Sequence, residues 1–389
     1  MFSNNTEDLL NLGAEITTRE IKQQPELWQE VLKDYQANVS KIEDFLAKLA
    51  NQHDHVRVIF TGAGTSAYVG QAIYAYLNQV YQHQGFTFEA IATTDIVSHP
   101  YTYLMAEQPT LLVSFARSGN SPESVATVQL AKQLIKDLYQ MTITCAPEGK
   151  LALAAQDDVD NLLLLQPSRS NDAGFAMTGS YTCMMLSCLL VFDKADLASK
   201  ITAVEQIVQM GQDVLQREDE IQAYVDLDFD RLVYLGSAGL FGLAHEAQLK
   251  ILELTAGKVA TQYESPLGFR HGPKSFVNDK TIVIDFVSNQ AYSRQYDVDL
   301  LNEVASDQIA KLTLAVTNRK RQEIEAAQFS LNQKTDQLDD VYLAFPYIIF
   351  GQAFALMTAV KVGNTPDTPS PSGTVNRVVK GVSIHPYQG

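Results

Sequence analysis

RVIFTGAGTS (residues 57–66) and RLVYLGSAGL (residues 231–240) decide the fold between them. Each starts at an arginine, runs through a short apolar stretch, and breaks at glycine into a turn of small residues. An apolar run of this length closed by glycine reads as a buried strand, and the helical pattern that follows makes a strand–turn–helix unit. The correspondence continues along the chain. TLLVSFARSG (110–119) pairs with TIVIDFVSNQ (281–290), and LYQMTITC (138–145) with KLTLAVTN (311–318). A further strand is expected at 161–165 in the first copy and, by the same matching, at VYLAFPYII (341–349) in the second. Strands alternating with helices predict an α/β fold with parallel sheets, here present twice. The loops of the copies have diverged, so the copies are expected to do different jobs.

Working outward, residues 1–50 read as a helical extension. Leu27, Trp28, Val31, Leu32, Tyr35, Val39, Ile42, Phe45 and Leu46 recur near the 3.6-residue period. The first copy then spans 51–200 and the second 201–362. Residues 363–389 form a tail in which Pro366, Pro369 and Pro371 exclude a regular helix.

The 389 residues carry 45 acidic against 29 basic side chains, a formal charge of −16. That balance disfavours nucleic acid and anionic membrane as partners. A small anion remains open, because a local nest of amides can outweigh the global field. Three scattered cysteines, Cys145, Cys183 and Cys188, make neither a disulfide framework nor a zinc site. The N-terminus lacks a basic start and an apolar core, and the longest apolar stretch, around Met184 to Phe192, is too short to cross a bilayer. These features predict a cytoplasmic chain.

The glycine loop nearly matches a dinucleotide fingerprint through Gly62, Gly64 and Ala67, yet Thr65 and Ser66 place hydroxyls where bare backbone is expected. The second loop, SFARSGNSPES (114–124), turns at Ser118-Gly119-Asn120. Ser121 sits at an N-cap and Pro122 at the first helical position. Free amides at a helix start attract anions, Ser118 and Ser121 add donors, and Arg117 adds a cation. Both loops end strands of one copy, where open α/β sheets bind ligands. Two hydroxyl-rich turns suit a phosphate monoester. A dinucleotide would want an acid at the end of the second strand, for which Glu89 and Asp95 are the candidates. The plainer reading is that these residues only build caps and turns.

In the second copy the helix expected at 244–258 places Glu246, Lys250 and Glu253 on one stripe of an otherwise apolar segment. A solvated salt bridge is the ordinary account; a carboxylate base beside a cation in a cleft is the functional one. His271, in the rigid RHGP turn, is either structural or catalytic. No cluster has metal-ligand spacing, so neither a metal nor a cofactor is expected.

TGAGTS, SFARSGNSPES and the pairing of Lys250-x-x-Glu253 with a following His271-Gly-Pro resemble sugar isomerase (SIS) domains. The arrangement is similar to the isomerase half of glucosamine-6-phosphate synthase, and the whole chain to the tagatose-6-phosphate ketose/aldose isomerase family, also described as galactosamine-6-phosphate deaminase/isomerase. The resemblance implies two tandem flavodoxin-like three-layer αβα sandwiches. It implies a sugar phosphate held by Gly64, Thr65, Ser66, Ser118 and Ser121; Arg117 stands where the synthase has glutamine. Glu253 becomes the base moving a proton between C1 and C2, and His271 the aid to ring opening, reaching in from a second subunit of a homodimer. Lys250 and Glu246 become supporting groups. Lys380, in NRVVKGVS (376–383), takes the position of the synthase's catalytic lysine. With no glutaminase segment or N-terminal cysteine nucleophile to supply ammonia, the implied direction is deamination of an amino sugar phosphate. The alternatives are plain aldose–ketose isomerisation and a non-catalytic sugar-phosphate sensor. Residues 1–50 contain no basic cluster of the kind a DNA-reading regulator needs.

Overall fold

The computed structural model describes residues 1–331, 337–379 and 381–388. The chain divides into two compact units. The first comprises Glu26–Asp172, Met177–Lys200 and Thr374–Gly389; the second comprises Met1–Pro25, Ala173–Ala176 and Ile201–Gly373.

In the first unit, helix α1 (Gln24–Gln52) precedes β1 (Val56–Thr61), α2 (Thr65–Tyr81), β2 (Phe86–Ala90), β3 (Thr110–Ala116), α3 (Pro122–Leu134), β4 (Leu138–Thr144), β5 (Asn161–Leu165) and α4 (Gly179–Phe192). The five strands form a parallel sheet in the order β2-β1-β3-β4-β5. Neighbouring residues of β1 face opposite sides. Ile59 packs with Ile96, Leu112, Ala131 and Ile135 on one face, while Phe60 meets Phe88, Phe115 and Phe192 on the other. Both faces are therefore apolar, as a parallel sheet covered on both sides requires. Gly70 of α2 lets that helix lie close, because a Cβ there would stand 2.5 Å from the Cβ of Phe60.

The second unit repeats the plan: β6 (Arg231–Gly236), α5 (Gly239–Leu254), β7 (Ala260–Glu264), β8 (Thr281–Phe286), α6 (Ala291–Ser306), β9 (Leu312–Thr317), β10 (Ala327–Ser330) and α7 (Asp340–Lys361). Its sheet is parallel in the order β10-β9-β8-β6-β7, the same succession as in the first unit. Val233, Leu235 and Val283 pack with Phe269, Leu300 and Val304 on one face. Tyr234, Phe286 and Tyr347 stack on the other.

Three expectations are corrected. Residues 341–349 are not a strand but the first part of α7, and the final strand is β10, AQFS, just before it. An apolar run that is hydrophobic all round carries no period to separate strand from helix. α7 is also long and apolar enough to cross a bilayer, with 94% of its apolar window buried inside the protein. It is a core helix, and a longer apolar element than Met184–Phe192. The helix expected at 244–258 stops at Leu254, where Ala256 (φ 51°) and Gly257 (φ 74°) reverse the chain.

Candidate active site

The glycine loop leaves β1 and enters α2 through Gly64, whose φ of 56° and ψ of −131° suit only glycine comfortably. Thr65 and Ser66 are buried at the helix start, with no side-chain cap on its amides. The second loop leaves β3 at Arg117 and enters α3 with Ser121 at the N-cap and Pro122 behind it. The Ser121 hydroxyl does not cap the helix; it bonds the Ser124 hydroxyl at 2.6 Å. The Ser66 and Ala67 amides close the first turn of α2 on the Ala63 and Gly64 carbonyls at 3.2 and 2.8 Å, and both helices bring a positive dipole end to the loops.

The two loops face one small cavity of about 90 Å³. Ser66, Arg117, Ser118 and Ser121 line it, joined by Ser124, Met177, Arg377, Val378 and Val379. At ~30 Å³ per water the space holds roughly three waters, the scale of a single phosphate group rather than a dinucleotide. Glu89, a candidate for binding a ribose, is committed elsewhere, since both its oxygens accept from Arg57 at 2.7 Å. A larger groove of about 940 Å³ between α1 and the edge strand β5 has none of these loops in its lining.

Arg117 is buried and donates from Nη2 to the carbonyl of Arg377 at 2.6 Å. The tail therefore reaches the cradle through a bond that the sequence did not reveal. Ser124 and Arg377 are the other polar lining residues that sequence reasoning passed over. Ser124 was legible as the third helical residue after the Ser121 cap; Arg377 stands in the NRVVKGVS stretch already noted. Lys380 lies outside the described residues.

Glu246, Lys250, Glu253 and His271 belong to the second unit. Lys250 has no solvent exposure, and its Nζ lies 2.6 Å from Glu253 and 3.3 Å from Glu246. Glu246 is equally buried, whereas Glu253 keeps 22% exposure. Burial pushes the Lys250 pKa down, but attraction to the two carboxylates outweighs it and the net shift is upward. The stripe is thus not a solvated edge but a buried ammonium between two carboxylates, one of which reaches solvent. His271 is exposed in the turn before Gly272, with its amide bonded to the Gly268 carbonyl at 2.9 Å. Among the described residues no group of three His, Cys, Asp or Glu is placed to hold a metal ion.

The second unit also carries a counterpart of the cradle, built differently. Ala238 repeats the conformation of Gly64 (φ 51°, ψ −118°), but Leu240 replaces the hydroxyl of Ser66. Carboxylates of the same chain take the donors of the two loops. Asp297 accepts from the Ser237 hydroxyl at 2.7 Å and the Ser288 amide at 2.8 Å. Asp340 accepts from the Ser288 hydroxyl at 2.5 Å and the Asn289 amide at 2.6 Å. Burial raises the Asp297 pKa to about 6 and that of Asp285 well above the ordinary carboxylate range. The donors of these loops are thus taken up by carboxylates of the chain itself.

The SIS domain family model matches residues 49–194. The D-galactosamine-6-phosphate deaminase AgaS of Escherichia coli is 44% identical over 374 residues, 96% of either chain. Its counterpart in Shewanella sp. (strain ANA-3) is 41% identical over 385 residues, 98% of this chain and 94% of that one. The solved structure of tagatose-6-phosphate ketose/aldose isomerase from Escherichia coli matches with a TM-score of 0.87 at 40% identity, covering 96% of this chain and 97% of that one.

Proposed function

The chain belongs to the SIS-domain family of D-galactosamine-6-phosphate deaminases, and from that premise we propose that it converts D-galactosamine 6-phosphate and water into tagatose 6-phosphate and ammonia. The observation that carries the reading is the cradle of Ser66, Ser118 and Ser121 at the starts of two helices, with room for one phosphate group. The hydroxyls of Thr65, Ser66, Ser118 and Ser121 hold that phosphate, with the positive ends of α2 and α3 behind them, and Arg117 stands beside it.

Glu253 is the base. In the opened sugar it takes the C2 proton, giving an enolamine, and returns a proton to C1. The nitrogen is left as an iminium at C2. Water adds there and ammonia leaves, so the sum is one water in and one ammonia out. Lys250 holds Glu253 in place at 2.6 Å, and Glu246 balances the charge of Lys250 from the buried side. His271 and Lys380 assist ring opening. In a homodimer the exposed His271 turn serves the neighbouring copy. The division of labour follows the sequence halves: phosphate binding in 51–200, proton transfer in 201–362, and a tail that carries the lysine.

Ammonia release from galactosamine 6-phosphate by wild type and Glu253→Gln tests the reading. Loss of a general base of this kind costs about 10²- to 10⁴-fold in kcat. If wild type releases no ammonia but equilibrates tagatose 6-phosphate with an aldose, the activity named for the Escherichia coli structure holds instead. That reaction uses the same proton shuttle without nitrogen at C2. A wild type that binds sugar phosphate and catalyses neither reaction refutes the enzyme reading.

A further inference from the structure

We propose that Arg377 is a positioning residue that straps the tail across the phosphate cradle, so that Val378 and Val379 become part of its wall. The proposal deepens the reading given under Proposed function and rests on it.

Arg377 is held at both ends. Its guanidinium donates through Nε to the carbonyl of Asp172 at 2.9 Å, again through Nη2 to the same oxygen, and to Asn171 Oδ1 at 3.2 Å. Its own carbonyl accepts from Arg117 Nη2 at 2.6 Å. A residue fixed through both side chain and main chain has little freedom left, although Arg377 itself is on the surface.

The two anchors are themselves rigid. The Asp172 carboxylate is buried and accepts the amides of Thr178, Gly179 and Ser180 at 2.8, 3.1 and 2.9 Å. It also accepts the hydroxyls of Thr178 at 3.0 Å and Ser180 at 2.5 Å. These bonds cap the start of α4, so the Asp172 carbonyl cannot shift without disturbing that helix. Arg117 is buried at the end of β3, beside Ser118 of the cradle.

The tail has no helix or strand of its own among its described residues from 374 onward. Arg377 is a fixed point of the tail, and Val378 and Val379 line the cavity immediately afterwards. Arg117 and Arg377 both line the cavity, so a phosphate there adds negative charge near two cationic residues, and occupancy of the cradle and closure of the strap favour each other.

The test uses the full chain with Arg377→Ala and Arg377→Lys. Misplacing a reacting group by 1 Å costs on the order of 10²-fold, so Arg377→Ala is expected to lower kcat for ammonia release about 10- to 100-fold with KM changed about threefold or less. Arg377→Lys, which keeps one donor for the Asp172 carbonyl, recovers part of the kcat. Hydrogen exchange of amides 374–388 is read with and without inorganic phosphate. Phosphate slows it in wild type and not in Arg377→Ala. An unchanged kcat in Arg377→Ala overturns the proposal, as does a rise in KM alone or equal protection by phosphate in both proteins. If wild type releases no ammonia, the deaminase reading falls, and the exchange experiment still decides the strap by itself.

Discussion

Replacing Lys250 with methionine isolates the energetics of the buried stripe. Met fills most of the lysine's volume and removes only the ammonium, which lies 2.6 Å from Glu253 and 3.3 Å from Glu246. Glu253 reaches solvent; Glu246 has no exposure and takes up a proton once the ammonium is gone. Holding a glutamate neutral at pH 7 against an ordinary value near 4.3 costs about 1.36 × (7 − 4.3), or roughly 3.7 kcal/mol. That agrees with the ~3–5 kcal/mol found when one partner of a buried pair is removed. The pH dependence follows from the sign of the shift. In the variant the folded Glu246 pKa is raised above its unfolded value, so the folded state holds the extra proton. The loss therefore grows with pH, from about 1.6 kcal/mol at pH 5.5 to about 3.7 kcal/mol at pH 7. Urea unfolding of wild type, Lys250→Met and Glu246→Gln/Lys250→Met at both pH values measures it. The difference of about 2 kcal/mol between the two pH values should be present in the single variant and absent from the double. A loss below about 1 kcal/mol at pH 7, or one independent of pH, refutes the reasoning and leaves only a packing effect.

The filled second cradle predicts one sugar phosphate per chain by calorimetry; two per chain would show that Asp297 and Asp340 yield to a ligand. Ser66→Ala and Ser118→Ala should each raise KM about tenfold, since a hydrogen bond to a charged group is worth ~1.5–3 kcal/mol and a decade corresponds to ~1.4 kcal/mol, with kcat less affected. Asp297, raised to about 6 chiefly by burial, contributes stability that is full below about pH 4 and is lost as pH rises through about 6. Asp297→Asn should flatten the urea midpoint over that window relative to wild type, and an unchanged slope would mean that another group titrates there.

What the sequence disclosed depended on how local each signal was. β1, β3, β6 and β8 are buried on both faces and closed by small or polar turns, so their runs of apolar residues were readable. β7, ATQYE, is half-exposed at a sheet edge and has no apolar run. β10 is four residues long. α7 is apolar all round, which removed the period that would have marked it as a helix. The cradle loops were legible because glycine, hydroxyl and N-cap chemistry is written within ten residues. The bond from Arg117 to Arg377 joins residues 260 apart, and no pattern in either segment encodes it. The burial of Lys250 was equally hidden: a stripe at spacings of four and three looks the same on a surface and in a core. Only the packing of α5 against its neighbours decided that it is buried.

The second cradle raises the question of why its shape persists without a ligand. Ala238 sits at φ 51°, a conformation that costs a non-glycine residue on the order of 1–3 kcal/mol. A loop free to relax would shed that cost. Yet Ala238 is the N-cap of α5, and the helix it starts carries Glu246, Lys250 and Glu253 two to four turns on. At 3.6 residues per turn, the angle at which α5 leaves the loop sets the direction of every one of those side chains. A relaxed turn that rotated the helix start by one residue would swing the stripe by about 100°. In the first copy this loop shape forms the proposed phosphate cradle; in the second it aims a helix. Asp297 supports the second use by accepting from the Ser237 hydroxyl at the head of the turn, the place proposed for the phosphate in the first. One backbone motif, duplicated, thus forms the proposed phosphate cradle in one unit and starts the helix of a buried Glu–Lys–Glu stripe in the other, and the strain at Ala238 is the trace of the shared geometry.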